Sequence, residues 1–345
     1  MARCDYANAR VRAMKGRLLG REGVLGLLAL PDLAARLDFL RKSDYGTAIA
    51  AHLPTTPDPI EGAERGLRAR LTDDTRRIDR FLRDEGAQPL FRVILAFEDG
   101  RNLKTILRGV ARGEAPERVF QLLAPTPGLD DPALRELLRE RDVKSVIDRL
   151  ATWRSPHAFP LEEALPSYLK GGELLFLENA LDRFLFAQAL ARARRDGEDG
   201  RIVLMFLRTR IDLTNAGTLL KLAGEGAGFE FFIPGGLTIT ESVFFEYAAL
   251  DQPELGEALV REFRHRFGKG WATAEELQDA FTAEQRFHAA FVAMLGREAR
   301  LRPLSLAVPL AFVLEREAEV RQIRLVLRGA EFGLPPAELL VLLER

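Results

Sequence analysis

Apolar residues recur at helical spacing over most of this chain, and three of the periodic stretches are variants of one another. In the first, residues 97–109, Leu103, Ile106, Leu107 and the following Val110 fall at i, i+3, i+4 and i+7, one face of a helix. Residues 210–221 and 317–329 keep that stripe as Ala216, Leu219, Leu220, Ala223 and as Ile323, Val326, Leu327, Ala330. Each stretch also carries an acid followed three residues later by a carboxamide: Asp99 and Asn102, Asp212 and Asn215, Glu319 and Gln322. The carboxamides stand 113 and then 107 residues apart, far beyond the roughly 20–50 residues of a solenoid repeat. The pattern predicts three domain-sized copies, here delimited as residues 1–115, 116–226 and 227–345.

The remaining pattern is also helical. Ala7, Val11, Met14 and Leu18 make one stripe of a basic helix over 6–19, whose five cations read as a solvated face or, alternatively, as a face for an anionic membrane surface. A helical run over 25–40 is broken at Pro31 and Asp32, with Asp32 placed to cap the second half of the run. Residues 54–59 form a loop, and helices are predicted over 61–85 and 91–112, the latter ending near Gly109 and Gly113. Short helices come next between 116 and 166, including one pattern over 134–150, then a strong helix over 173–186 and a turn at 194–200. Residues 224–228 read as a flexible joint, because their glycines lack the full dinucleotide fingerprint and the strand before it. After a turn at 231–236, helices are predicted over 241–259, 274–296 and 309–328. Alternating runs suited to strands are scarce, so the expected fold class is all-α.

The acid and the carboxamide of each copy lie within or beside the apolar stripe. A carboxylate in that position must be hydrogen-bonded or paired. Arg101, Arg108, Lys221, Arg321, Arg324 and Arg328 are the nearby cations that could answer it. The three pairs are read as a structural polar network rather than a catalytic site.

Composition narrows the function. The 345 residues are 47% apolar and 29% charged, enough to bury a core and remain solvated. Fifty Lys and Arg against 51 Asp and Glu leave a formal charge of -1, which gives no support to nucleic-acid binding through a broad basic surface. The single cysteine, Cys4, forms no internal disulfide, and no Cys/His cluster has metal-ligand spacing. No apolar core with a cleavage site is visible near residue 1. The longest apolar run, 304–314, is interrupted by Ser305 and Pro309 and is shorter than the ~20 residues of a membrane span, so the chain is expected to be peripheral to any membrane. Phosphate-loop, zinc-hydrolase and acyl-nucleophile motifs are missing, and His52, His157, His265 and His288 are scattered. The expected catalytic, cofactor and metal residues are therefore none.

Several short segments, taken in order, carry a family resemblance. They are residues 6–13 with 16–19, 99–104, 173–175 with Glu178 and Asp182, 211–215, 234–236, and 317–329 after 303–305. The chain resembles the C subunit of the V-type and A-type ATPases, the counterpart of the eukaryotic d subunit, over nearly its whole length. Gln322 stands where that family usually has Asn, and Gly217 and Leu222 weaken the second copy. The resemblance implies three similar helical bundles arranged as a funnel about a pseudo-threefold axis. It also implies a non-catalytic rotor component on the cytoplasmic face of the membrane. Its partners there are the central-stalk D and F subunits and the membrane rotor ring of proteolipid subunits. Two other classes stay open on the residues alone: an unrelated helical scaffold or adaptor, and an α-helical enzyme.

Overall fold

The computed structural model describes residues 4–344 apart from 57, 84, 127, 194–196, 225–227, 229 and 230. Every regular element among them is helical. The chain divides into two compact units, Met1–Gln88 with Gln285–Arg345, and Pro89–Glu284. These limits differ from the thirds drawn from the repeat. The boundary expected at 226/227 and the joint residues 225–227 lie outside the described residues, as do 194–196 of the expected turn.

The first unit contains α1 (Asp5–Lys15), α2 (Gly20–Leu28), α3 (Leu33–Arg41), α4 (Gly46–His52), α5 (Pro59–Phe81), most of α15 (Ala280–Leu301), α16 (Ala307–Glu331) and α17 (Pro336–Glu344). Leu27, Leu40, Ile49 and Leu67 from its N-terminal part close around Ile323, Val326 and Leu327 of α16 in one core. The second unit contains nearly all of α6 (Gln88–Ala111), then α7 (Pro116–Phe120), α8 (Asp131–Leu137), α9 (Val143–Thr152), α10 (Ala158–Gly171), α11 (Leu175–Ala193), α12 (Gly197–Lys221), α13 (Glu241–Tyr247) and α14 (Gln252–Phe267). There α11 packs against both α10 and α12.

Capping side chains decide where the short helices begin. Asp32, Asp58, Asp130, Asp142, Thr240 and Asp251 each accept a hydrogen bond from a backbone N–H in the first turn of the next helix. Asp142 divides the pattern expected over 134–150 into α8 and α9, and Asp251 with Pro253 divides that over 241–259 into α13 and α14. Other boundaries shift as well. The first helix stops at Lys15 rather than 19, residues 197–200 already belong to α12, and residues 274–279 precede α15. Helix α17 has no counterpart among the elements predicted from the pattern.

Arg316 of α16 is fully buried, and the first unit is built to hold its charge. Its Nη2 donates to Asp44 Oδ2 at 2.7 Å, and its guanidinium lies 3.0 Å from Asp74, a charge contact outside hydrogen-bond alignment. Arg70 meets the same two acids at 2.8 and 3.0 Å, and Tyr45 places its ring beneath Arg316 with 4.9 Å to the centroid. Burial pushes the Asp74 carboxyl and the Tyr45 hydroxyl above their ordinary values. Burial pulls Arg316 down, but Tyr45, Asp74 and Asp44 together hold it above its ordinary value. A second group, Glu64 with Arg324 and Arg328 at 3.1 and 2.9 Å, ties α5 to α16.

These charges generate two expected outcomes. Arg316→Met leaves Glu319 without its cation and Asp44 and Asp74 with Arg70 alone, and chemical denaturation should show a loss of about 3–5 kcal/mol. For Glu64, burial raises the carboxyl pKa, but the Arg328 and Arg324 contacts outweigh it, so the folded value lies below the ordinary 4.5. A lowered carboxylate contributes stability that is present above its unfolded pKa and disappears as pH falls through the folded value. Glu64→Gln should therefore destabilise the protein near pH 7, and the gap to the parent should narrow as pH falls through the lowered folded value in parallel denaturation curves.

Candidate functional site

The three recurrent helices bury their stripes alike. Leu103, Ile106 and Leu107 of α6 are buried and Val110 half-buried; Ala216, Leu219 and Leu220 of α12 with the following Ala223, and Ile323, Val326, Leu327 and Ala330 of α16, repeat that order. The acid–carboxamide pair lies on one edge of the stripe, and all but Gln322 are buried.

On α6, Asn102 Nδ2 donates to the Ala124 carbonyl at 2.7 Å while its Oδ1 accepts the Ala124 N–H at 3.0 Å. On α12, Asn215 makes the same double exchange with Ile233, at 2.8 and 3.0 Å. One residue of extended backbone presents its N–H and C=O to the same side, as paired strand residues do, and the carboxamide takes the place of the opposite strand. Each of these residues stands directly before a proline, Pro125 and Pro234, which biases it toward the extended conformation.

The acids hold the next few residues of the same straps. Asp99 accepts a hydrogen bond from Thr126 Oγ1, which itself accepts the N–H groups of Gly128 and Leu129 at 3.2 and 2.9 Å; His157 Nε2 lies 3.8 Å from Asp99. Asp212, fully buried, accepts three backbone N–H groups, from Leu237, Thr238 and Ile239, at 2.9–3.1 Å. Arg266 of α14 adds a 2.9 Å ion pair to it. Glycine is required at both straps, since a Cβ on Gly128 would collide with the Asp99 carboxylate and one on Gly236 with that of Asp212. Past the clamps, Asp130 and Thr240 cap α8 and α13, so each strap delivers the chain to a helix start.

The pair on α16 is arranged differently. Glu319 accepts the Gly20 N–H at 2.8 Å, at the first residue of α2, and the Tyr45 hydroxyl at 2.6 Å, with Arg316 at 3.5 Å. Burial pushes the Glu319 carboxyl upward against the opposing effect of these donors. Gln322 is half-buried, and its side-chain carboxamide makes no hydrogen bond among the described residues.

Four of the cations expected to answer the acids pair elsewhere. Arg101 meets Glu98, Arg108 meets Glu178, and Arg324 and Arg328 meet Glu64. The basic partners used are His157, just before α10, Arg266 of α14, and Arg316, one turn along α16 itself. Lys104 and Arg108 instead reach Asp182 and Glu178 and tie α6 to α11, while Gly100 leaves room there for Leu185. No group of three or more His, Cys, Asp or Glu among the described residues is placed to hold a metal ion.

The clamps should rank by what they leave unsatisfied. Asp212→Ala strands three N–H groups and Arg266 and should lower stability by about 3–5 kcal/mol, whereas Asp99→Ala should lose about 1–3 kcal/mol. Asn102→Ala and Asn215→Ala should each lose about 1–3 kcal/mol, and Gln322→Ala less than about 0.5 kcal/mol. Thermal and urea unfolding of the five variants would measure the order, and a Gln322 effect equal to that of Asn215 would refute it.

A family model described as ATP synthase (C/AC39) subunit matches residues 7–340. The C subunit of the A-type ATP synthase of Halorubrum lacusprofundi is 30% identical, covering 97% of this chain and 95% of that protein. The C subunit of the V-type ATP synthase of Deinococcus radiodurans is 28% identical over 97% of this chain and 89% of its own length. Its A-type equivalent in Thermococcus kodakarensis is 26% identical over 96% and 88%. With a match that runs through all three acid–carboxamide helices, the chain belongs to the ATP synthase (C/AC39) subunit family.

Proposed function

We propose that this chain is the non-catalytic central-rotor component of a V-type/A-type ATPase. It links the central stalk, made of the D and F subunits, to the membrane rotor ring of proteolipid subunits on the cytoplasmic face. ATP hydrolysis or synthesis in the head is thereby coupled to proton or sodium transport through the membrane. The observation that carries this reading is the family match over residues 7–340, with relatives that are C subunits of A-type and V-type ATP synthases aligned nearly end to end.

Two physical features support it. A coupler that transmits torque must resist shear between its helices, and here long helices are tied to neighbouring segments by buried backbone clamps and interhelical ion pairs. No helix among the described residues is long and apolar enough to cross a membrane, which suits a part that sits against the ring. In this reading the three repeats, residues 1–115, 116–226 and 227–345, form similar bundles around a pseudo-threefold axis, and Asp99, Asn102, Asp212, Asn215, Glu319 and Gln322 are its repeated structural pairs.

A rotor part keeps its contacts with the stalk and the ring throughout turnover, whereas contacts with stationary parts are transient. Stable contacts of that kind belong to the obligate class, often burying more than about 2,000 Å². The native Cys4 is fully buried, so a cysteine introduced at the surface is the thiol that cross-links. In the assembled enzyme, a disulfide from this chain to the D protein of the stalk should leave ATP-driven ion pumping largely intact. One to the peripheral stalk or the stator membrane protein should arrest pumping until it is reduced. The reverse pattern would refute the rotor role.

A further inference from the structure

The carboxamide of Gln322 lacks what its two counterparts hold, and the first unit contains a space beside it. The connection from α16 to α17 is a copy of that from α6 to α7 at an offset of 220 residues. Gly109 lies against Val119 and Gly329 against Leu339, with no room for a Cβ on either glycine. Gly113 and Gly333 have φ of 64° and 67°, and the N–H groups of Glu114 and Leu334 close on the carbonyls of Gly109 and Gly329 at 2.9 and 2.8 Å. In that register Gln322 matches Asn102, and residue 344 matches Ala124.

The backbone that Asn102 holds is absent from its counterpart for a clear reason. Helix α7 ends at Phe120, which frees Ala124 to be extended, but α17 runs on to Glu344, so the matching position is helical. The segment before Gly20 is wound up too, because the N–H groups of Gly16, Arg17 and Leu18 turn back to the carbonyls of Arg12, Met14 and Lys15. Neither segment offers an extended residue to Gln322. A cleft of about 550 Å³ opens there instead, with Leu18, Val24, Leu25, Val292 and Leu343 as its apolar lining and Gln322 among its polar groups.

We propose that this cleft receives an extended peptide strand from a partner protein, one residue of which exchanges both its backbone hydrogen bonds with the Gln322 carboxamide. The two occupied clamps define the strand's chemistry. Ala124 and Ile233 are apolar residues directly followed by proline, so the cleft selects an apolar–proline pair whose first member is already extended. Binding through backbone groups, with apolar side chains taken up by a lined pocket, is the general mode of strand recognition. Gln carries one methylene more than Asn and reaches about 1.5 Å further, so the incoming strand lies farther from α16 than Ala124 lies from α6. This site is independent of the rotor role.

The test uses the full-length protein and a fluorescein-labelled synthetic peptide with the sequence of residues 122–129, which contains the Ala–Pro pair. Fluorescence anisotropy should give saturable binding, weakened by about fivefold or more in Gln322→Ala. A peptide N-methylated at that alanine cannot donate to the oxygen of a carboxamide and should lose affinity to a similar extent on the unaltered protein, which removes any dependence on how the variant folds. No saturation at millimolar peptide, or affinity indifferent to both changes, overturns the proposal. A concentration-dependent dimer in light scattering that disappears in Gln322→Ala would overturn it in another way, by assigning the cleft to a second copy of this chain.

Discussion

A carboxylate at the edge of an apolar helix face has lost its water, and something must return the hydrogen bonds. At Asp212 that is done by three successive backbone N–H groups and one guanidinium. The constraint runs both ways. The acid fixes three peptide groups of residues 237–239, the carboxamide one turn along fixes Ile233, and the segment between them has no freedom left to wander. A loop of that kind would ordinarily be the soft part of a helical protein. Here it is among the most constrained, and it sets the point at which α13 starts. The pairs thus position short helices on long ones without relying on the shape of the apolar contact alone.

The helical class, the stripe and the acid–carboxamide pairs were all legible in the sequence, because each depends on spacing along one element. The partners of the pairs were not. Asn102 and Asn215 bind main chain, and main chain carries no residue code; only the proline after Ala124 and Ile233 and the glycines at 128 and 236 marked those straps. Arg266 stands 54 residues from Asp212, and Arg316 draws in Asp44 from 272 residues away, distances at which neighbouring charges in sequence are no guide. Helix breaks at Asp142 and Asp251 could have been found from the capping residues themselves, but a continuous apolar period over 134–150 and 241–259 hid them. Helix α17 was masked by its nearly uniform apolar character, although its offset of 220 residues from α7 was present in the glycines.

Burial and charge are also divided unequally between the two clamps of the second unit and the one of the first. Asp99 and Asp212 meet hydroxyl or backbone donors and one basic side chain each. Glu319 shares a closed cluster with two other acids, two arginines and a tyrosine. Removing a single member there disturbs every other member, so the region behaves as one polar object rather than a set of pairs.

The first unit is assembled from Met1–Gln88 and Gln285–Arg345, with the whole of the second unit inserted between them. During synthesis, Asp44, Tyr45 and Asp74 leave the ribosome more than two hundred residues before Arg316 exists. At roughly 5–20 residues per second, that wait is on the order of ten to fifty seconds. Over that interval the hairpin of α4 and α5 can form from its own contacts, but Leu27, Leu40 and Leu67 have no α16 to close on, and the acids have no guanidinium between them. The continuous second unit is complete first. The part of the protein that is made earliest is therefore the part that finishes folding last, and its apolar surface must be kept from other chains until α16 has been made.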